Sequence, residues 1–125
     1  MRENDVSGKI IGAAIEVHKQ LGPGLLESAY EECLAHEMGL RNISFARQKP
    51  LPLTYKGTRL DCGYRLDFLV ENLVVVELKT VQAFAPIHKA QVITYLKLTQ
   101  CKLGLLLNFH TSIMKSGIQR VVLNL

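Results

Sequence analysis

Apolar residues recur at spacings of three and four across residues 5–21, at Val6, Ile10, Ala13, Ala14, Val17 and Leu21. That spacing makes one stripe of an α-helix and leaves Lys9, Glu16 and Lys19 for solvent. Gly22, Pro23 and Gly24 stop this helix. A second helix is predicted over residues 25–38, with Leu26, Tyr30, Cys33, Leu34 and Met38 apolar and Gly39 as its stop. From residue 43 the pattern changes. Runs at 43–48, 51–55, 59–70 and 73–79 are β-branched or aromatic, broken by Pro50, Pro52, Lys56-Gly57 and Glu71-Asn72, and predict an antiparallel meander. Helical spacing returns over 86–99 at Ile87, Val92, Tyr95, Leu96 and Leu98. The nearly continuous apolar run 103–109 predicts a buried strand, and 119–123 a shorter last one. The helix over 86–99 is long enough for a right-handed crossover, which makes the strands on either side of it parallel. The expected class is α/β: a small mixed sheet with an antiparallel meander, one parallel βαβ crossover, and helices flanking the sheet.

Length and composition narrow this picture without changing it. The 125 residues suit one domain over 1–125, and 48% apolar content is enough for a real core and too much for a disordered chain. No stretch of 18 apolar residues exists, so no membrane span or membrane partner is expected. Two acids among the first five residues, with no long apolar run behind them, argue against a secretory signal. Three widely spaced cysteines, Cys33, Cys62 and Cys101, argue against a disulfide framework or a zinc finger, so a cytoplasmic location is expected. His18 and His88 fit no metal-ligand spacing and are expected at the surface or its boundary.

Charge is uneven. Residues 1–37 carry a net charge of −4, residues 38–77 one of +2, and residues 78–125 have six bases and no acid. A basic C-terminal third attracts phosphates, although a solvated basic face would look the same.

The residues that break the pattern carry the chemistry. Leu73-Val-Val-Val leads directly into Glu77 and Lys79, and burying an unpaired charge in such a strand is expensive. Strand periodicity puts Glu77 and Lys79 on one face and Leu78 on the other. Asp67 lies in another largely apolar run, 64–70, ten residues earlier. Two carboxylates and an ammonium on neighbouring strands suit a hard divalent cation that keeps water and takes phosphate oxygens. The competing reading is a Glu77–Lys79 ion pair on an edge strand. The hairpin between them adds a condition. A two-residue turn at Glu71-Asn72 would set Leu66 opposite Glu77 and turn Asp67 to the other face. A loop of three residues, 71–73, or a bulge would set Asp67 opposite Glu77, and Asn72 tolerates the left-handed conformation such a loop uses.

Asp67, then Glu77-Leu-Lys79 at the end of an apolar strand, then a helix with Gln91-x-x-x-Tyr95, resembles the PD-(D/E)XK nuclease superfamily. Leu66 stands where that pattern often has proline. Gly24-x-x-Glu27-x-x-Tyr30 resembles the motif of the GxxExxY family within it, and the likeness covers about residues 5–123. The resemblance implies a restriction-endonuclease-like core and phosphodiester hydrolysis on nucleic acid, DNA ahead of RNA. It implies Mg²⁺ or Mn²⁺ held by Asp67, Glu77 and the Leu78 carbonyl, with Glu27 at the edge, and Lys79 assisting the attacking water. Gln91 joins the catalytic set, and Tyr30, Tyr95 and Lys89 face substrate; Arg65 and Lys97 are further candidates for the backbone. So small a domain suits recognition of structure or ends better than of a long sequence. A homodimer through the apolar first helix would widen its footprint. The alternatives are a catalytically silent module of the same fold, binding nucleic acid or protein, and a structural domain with an ion-pair network.

Overall fold

The computed structural model describes residues 2–125. Helix α1 (Arg2–Leu21) and helix α2 (Glu27–Leu40) come first. Strand β1 (Phe45–Pro50) follows, then the short strands β2 (Leu53–Tyr55) and β3 (Thr58–Leu60). Next come β4 (Arg65–Val70), β5 (Val74–Lys79), helix α3 (Pro86–Thr99) and β6 (Leu103–Asn108). A single 3₁₀ turn (Met114–Gly117) leads into β7 (Ile118–Val122). The main sheet has the order β1-β4-β5-β6-β7, with β5 and β6 parallel and the other pairs antiparallel. This is the mixed α/β arrangement expected from the hydrophobic pattern, including the parallel crossover through α3.

The meander is more interrupted than the sequence pattern suggests. The run 59–70 is two strands, because the chain turns at Gly63 with φ +77° between β3 and β4. β1 therefore pairs with β4, while β2 and β3 form a separate hairpin that leaves the sheet and returns. Helix α2 also runs past Gly39; it ends at Leu40 with Arg41 as its C-cap, and Asn42 takes the left-handed conformation.

The sheet is covered on both faces. Val6, Ile10, Ala13, Ala14 and Val17 of α1 and Tyr30, Leu34 and Met38 of α2 pack on Phe68, Val70, Val74, Val76, Leu78 and the odd-numbered leucines of β6. The apolar stripe of α1 from Val6 to Val17 thus packs inside the chain, while Leu21 at its end is exposed. On the other face Val92, Tyr95 and Leu96 of α3 pack on Leu66, Leu69, Val75 and Leu106. Leu26 caps α2 from outside the core, 76% exposed, because the stripe begins only at Tyr30. His18 is buried rather than at the surface; its Nε2 lies 2.8 Å from the Thr111 carbonyl.

Alternation along β4 slips at one place. Leu66 packs on the α3 side and Phe68 on the α1–α2 side, two residues apart that regular pleating would keep together. Asp67 lies between them. At the same level of β1, Gln48 has φ +52°, the left-handed region, in the middle of a strand. The distortion sits where the polar cluster described below is built.

Close approach of α3 to the sheet depends on Gly104. A β-carbon there would come within 2.5 Å of Val92 Cγ1, on the face of β6 that α3 covers. Gly104→Ala is expected to cost about 1–3 kcal/mol through overpacking, read as a fall in thermal midpoint. Adding Val92→Ala, which removes the colliding methyls, should recover part of that loss; no recovery would show that α3 is not held at this point.

Candidate active site

The loop between β4 and β5 decides whether the acids meet. Val70 pairs with Val74 and Phe68 with Val76, so the loop is the three residues 71–73. Glu71 and Asn72 both have left-handed φ, +54° and +55°, and the Leu73 N–H closes on the Val70 carbonyl. One step beyond Phe68 and Val76, this register brings Asp67 opposite Glu77. Direct backbone pairing of the two strands stops there. The side chains take over: the Asp67 N–H donates to Glu77 Oε2 at 2.7 Å, and the Leu78 N–H donates to Asp67 Oδ2 at 2.8 Å. The strands splay apart and each carboxylate satisfies an N–H of its neighbour. The bond to Asp67 contributes about 1.5–3 kcal/mol when that carboxylate is ionised, and the bond to Glu77 about 0.5–1.5 kcal/mol while it is protonated.

Lys79 lies two residues beyond Glu77 on the same face, half-buried, next to Asn108 of β6 in the parallel register. Asn108 is buried, and its amide accepts from the Val81 and His110 N–H groups and donates to the Val81 carbonyl. It clamps the chain leaving β5 just after Lys79. Glu27 opens α2 and stands on the rim, exposed. Its i+4 neighbour Glu31 accepts from Gln48 Nε2 at 2.7 Å and from Arg47 Nε at 2.7 Å. Gln48 Nε2 also lies 3.3 Å from Asp67 Oδ1, so one amide bridges α2 and the strand acid.

The electrostatics are those of three acids sharing one small site. Burial, then the charge of Asp67, pushes Glu77 up to about 8. Burial also raises Asp67, opposed by its bond from the Leu78 N–H. Partial desolvation and Asp67 raise Glu27, while Lys79 lowers it. Among the described residues, no three His, Cys, Asp or Glu side chains cluster tightly enough to enclose an ion. The donor set still fits a small hard cation, since Mg²⁺ keeps several waters and needs only one or two carboxylates. Glu77 spends one oxygen on a backbone N–H, and Asp67 spends one on a backbone N–H and meets the other with the long 3.3 Å contact from Gln48 Nε2. Two adjacent carboxylates that resist ionising together are also what a divalent charge would relieve.

The remaining predicted residues separate. Tyr95 is buried, and burial followed by the charge of Glu77 raises its hydroxyl, with Gln91 acting in the other direction. Tyr95 therefore stands near Glu77 on the α3 side, with Gln91 beside its hydroxyl. Tyr30 was expected to face substrate. It is a core residue instead, fully buried, stacked on Phe109 with ring centroids 4.6 Å apart. Its hydroxyl donates to the Gly22 carbonyl and accepts from the Leu25 N–H, so it ties down the loop before α2. Lys89 is exposed but sits on another side of α3, with Phe84, Ile93 and Gln119; two residues from Gln91 is about 200° around a helix. Arg65 and Lys97 are exposed.

Three residues of the cluster were missed. Glu31 was legible as the i+4 partner of Glu27 on one helix face. Asn108 was legible as a polar residue inside an apolar run. Gln48 carried no local signal, because its role comes from a left-handed backbone and partners on two other elements.

The family model of the PD-(D/E)XK nuclease superfamily matches residues 4–121. No curated protein and no solved structure matches the chain.

Glu77 gives a signed pH dependence in metal-free protein. Its pKa is 4.5 unperturbed and about 8 in the fold. The stabilisation from keeping it protonated is complete below the lower value and is lost as pH rises through the upper one. Urea unfolding in chelator should show stability falling across that window, at up to about 1.4 kcal/mol per pH unit, with the slope reduced in Glu77→Gln. An equal slope in the variant would contradict the assignment.

Proposed function

The chain belongs to the PD-(D/E)XK nuclease superfamily, and from that premise we propose that it is a divalent-metal-dependent nuclease hydrolysing phosphodiester bonds of DNA or RNA, DNA being the better fit. The observation that carries the reading is the register of β4 and β5. Asp67 and Glu77 face each other across the splay, with Lys79 on the same face two residues on. Gly24-x-x-Glu27-x-x-Tyr30 further supports the GxxExxY branch, with Tyr30 as its structural anchor.

In this reading Asp67, Glu77 and the Leu78 carbonyl hold Mg²⁺ or Mn²⁺, with Glu27 in contact through water. A divalent cation bound there supplies Lewis acidity, lowering the pKa of water and offsetting negative charge on phosphate. The protein does the rest. Gln48 holds Asp67 toward the opening, and the two ladder-replacing bonds keep both acids on one side of the splay. Lys79 orients the attacking water and faces the charge that develops as the phosphorus–oxygen bond breaks. Gln91 and the Tyr95 hydroxyl close the α3 side and accept or donate to the scissile phosphate's neighbours. The acid-free chain from residue 78 onward favours a polyanion. A silent binding module would retain this basic field but would not need two acids side by side, where burial and the charge of Asp67 oppose the ionisation of Glu77.

The test is cleavage of single-stranded and double-stranded DNA and of RNA in Mg²⁺, in Mn²⁺ and in chelator. Metal-dependent cleavage is expected. Asp67→Ala and Lys79→Ala should each lower the rate by about 100-fold or more, with folding checked by circular dichroism. Cleavage that persists unchanged in both variants, or that never exceeds the chelator control, sinks the nuclease reading.

A further inference from the structure

An apolar groove of about 350 Å³ lies between α3 and the residues that open β2 and precede β4, three positions along the chain from Asp67. Leu53 and Tyr64 form one wall, and Ile87, Gln91, Tyr95 and Leu98 the other. Its size is at the lower end for small-molecule pockets. Tyr64 is 43% exposed and Ile87 68%, so large apolar surface stands open here. The Tyr64 and Tyr95 rings cross at 64°, with centroids 6.3 Å apart, so Tyr95 is not stacked flat on Tyr64. Tyr95 links the groove to the acids: it lines the groove beside Gln91, and the charge of Glu77 reaches its hydroxyl.

The two elements that frame this groove carry bases and no acids. Helix α3 has Lys97, and the β2–β3 hairpin has Lys56 and Arg59. A neutral, aromatic slot between two positive elements matches one ligand chemistry closely. The slot takes a flat, weakly polar ring, and the flanking bases take the anionic chain attached to it. The amide of Gln91 and the hydroxyl of Thr94, also on the wall, can hydrogen-bond a ring edge.

We propose that this groove is a nucleobase subsite, in which a base unpaired from its partner stacks on Tyr64 beside the splayed acids, so that the chain acts on single-stranded or frayed nucleic acid. The proposal rests on the nuclease reading and deepens it by naming the substrate class. A base inside a duplex presents only its edge to a protein, and its faces are occupied by its neighbours. Only a base freed from that stack can enter a slot walled by Tyr64 and Leu53.

The test measures binding in chelator, where no cleavage occurs, and so is separate from the activity assay above. The probes are a fluorescent twelve-residue oligothymidylate, the same chain with abasic sugars in place of the bases, and a blunt twelve-base-pair duplex, titrated at one fixed low salt concentration. The oligothymidylate should bind about 5- to 100-fold more tightly than the abasic chain, the range that stacking one base supports, and more tightly than the duplex. Tyr64→Ala should remove that difference and Tyr64→Phe should keep it. Tyr55→Ala, an exposed tyrosine of the hairpin outside the groove, should also keep it. Equal binding of the thymidylate and abasic chains by the native protein overturns the subsite, since only phosphates are then being read. So does a difference that survives Tyr64→Ala, or a dimer by sedimentation that Tyr64→Ala dissociates, which would assign the groove to a second copy. Base-dependent binding without metal-dependent cleavage would sink the nuclease reading and leave the subsite standing; cleavage without base-dependent binding would do the reverse.

Discussion

Everything at this site depends on two hydrogen bonds that replace a rung of the sheet. Where β4 and β5 part, the Asp67 N–H is satisfied by Glu77 and the Leu78 N–H by Asp67. An ordinary ladder would tie each of these N–H groups to a carbonyl of the facing strand and leave the carboxylates without them. Substituting side chains for the ladder lets the strands open without orphaning an N–H, and no buried polar side-chain atom among the described residues lacks a partner. The same exchange turns two acids toward one opening. The feature that keeps the sheet satisfied is therefore the feature that assembles the cluster.

That arrangement concentrates strain and charge in one small volume. Three strands are irregular at one level: β1 at Gln48, with its left-handed backbone, β4 where alternation slips at Asp67, and β5 where pairing ends at Val76. Irregular backbone gathers at functional sites because a surrounding structure can hold it there. Here the hold comes from both faces. Tyr30 stacks on Phe109 and pins the loop that starts α2, which fixes Glu27 and Glu31. On the other face, the absence of a side chain at Gly104 lets α3 sit close, which fixes Gln91 and Tyr95. A rigid, apolar scaffold carries a polar site that would not be stable on a looser one.

The amino-acid sequence alone determined the strand that carries Glu77 and Lys79 on one face, the parallel crossover through α3, and the α1 stripe. Each follows from a backbone period, 2.0 for strands or 3.6 for helices, which any chain of this pattern must obey. It also posed the alignment of Asp67 with Glu77 as a matter of loop parity. Only the tertiary structure decided that parity, because Glu71 and Asn72 both adopt left-handed φ while Glu71 bonds to Ser44 beside β1. The fold likewise turned Tyr30 inward, drew Gln48 between Glu31 and Asp67, and set Tyr64 across from α3. Those outcomes depend on contacts between elements distant along the chain. A local period shows which face a residue shares; it does not show what that face will meet.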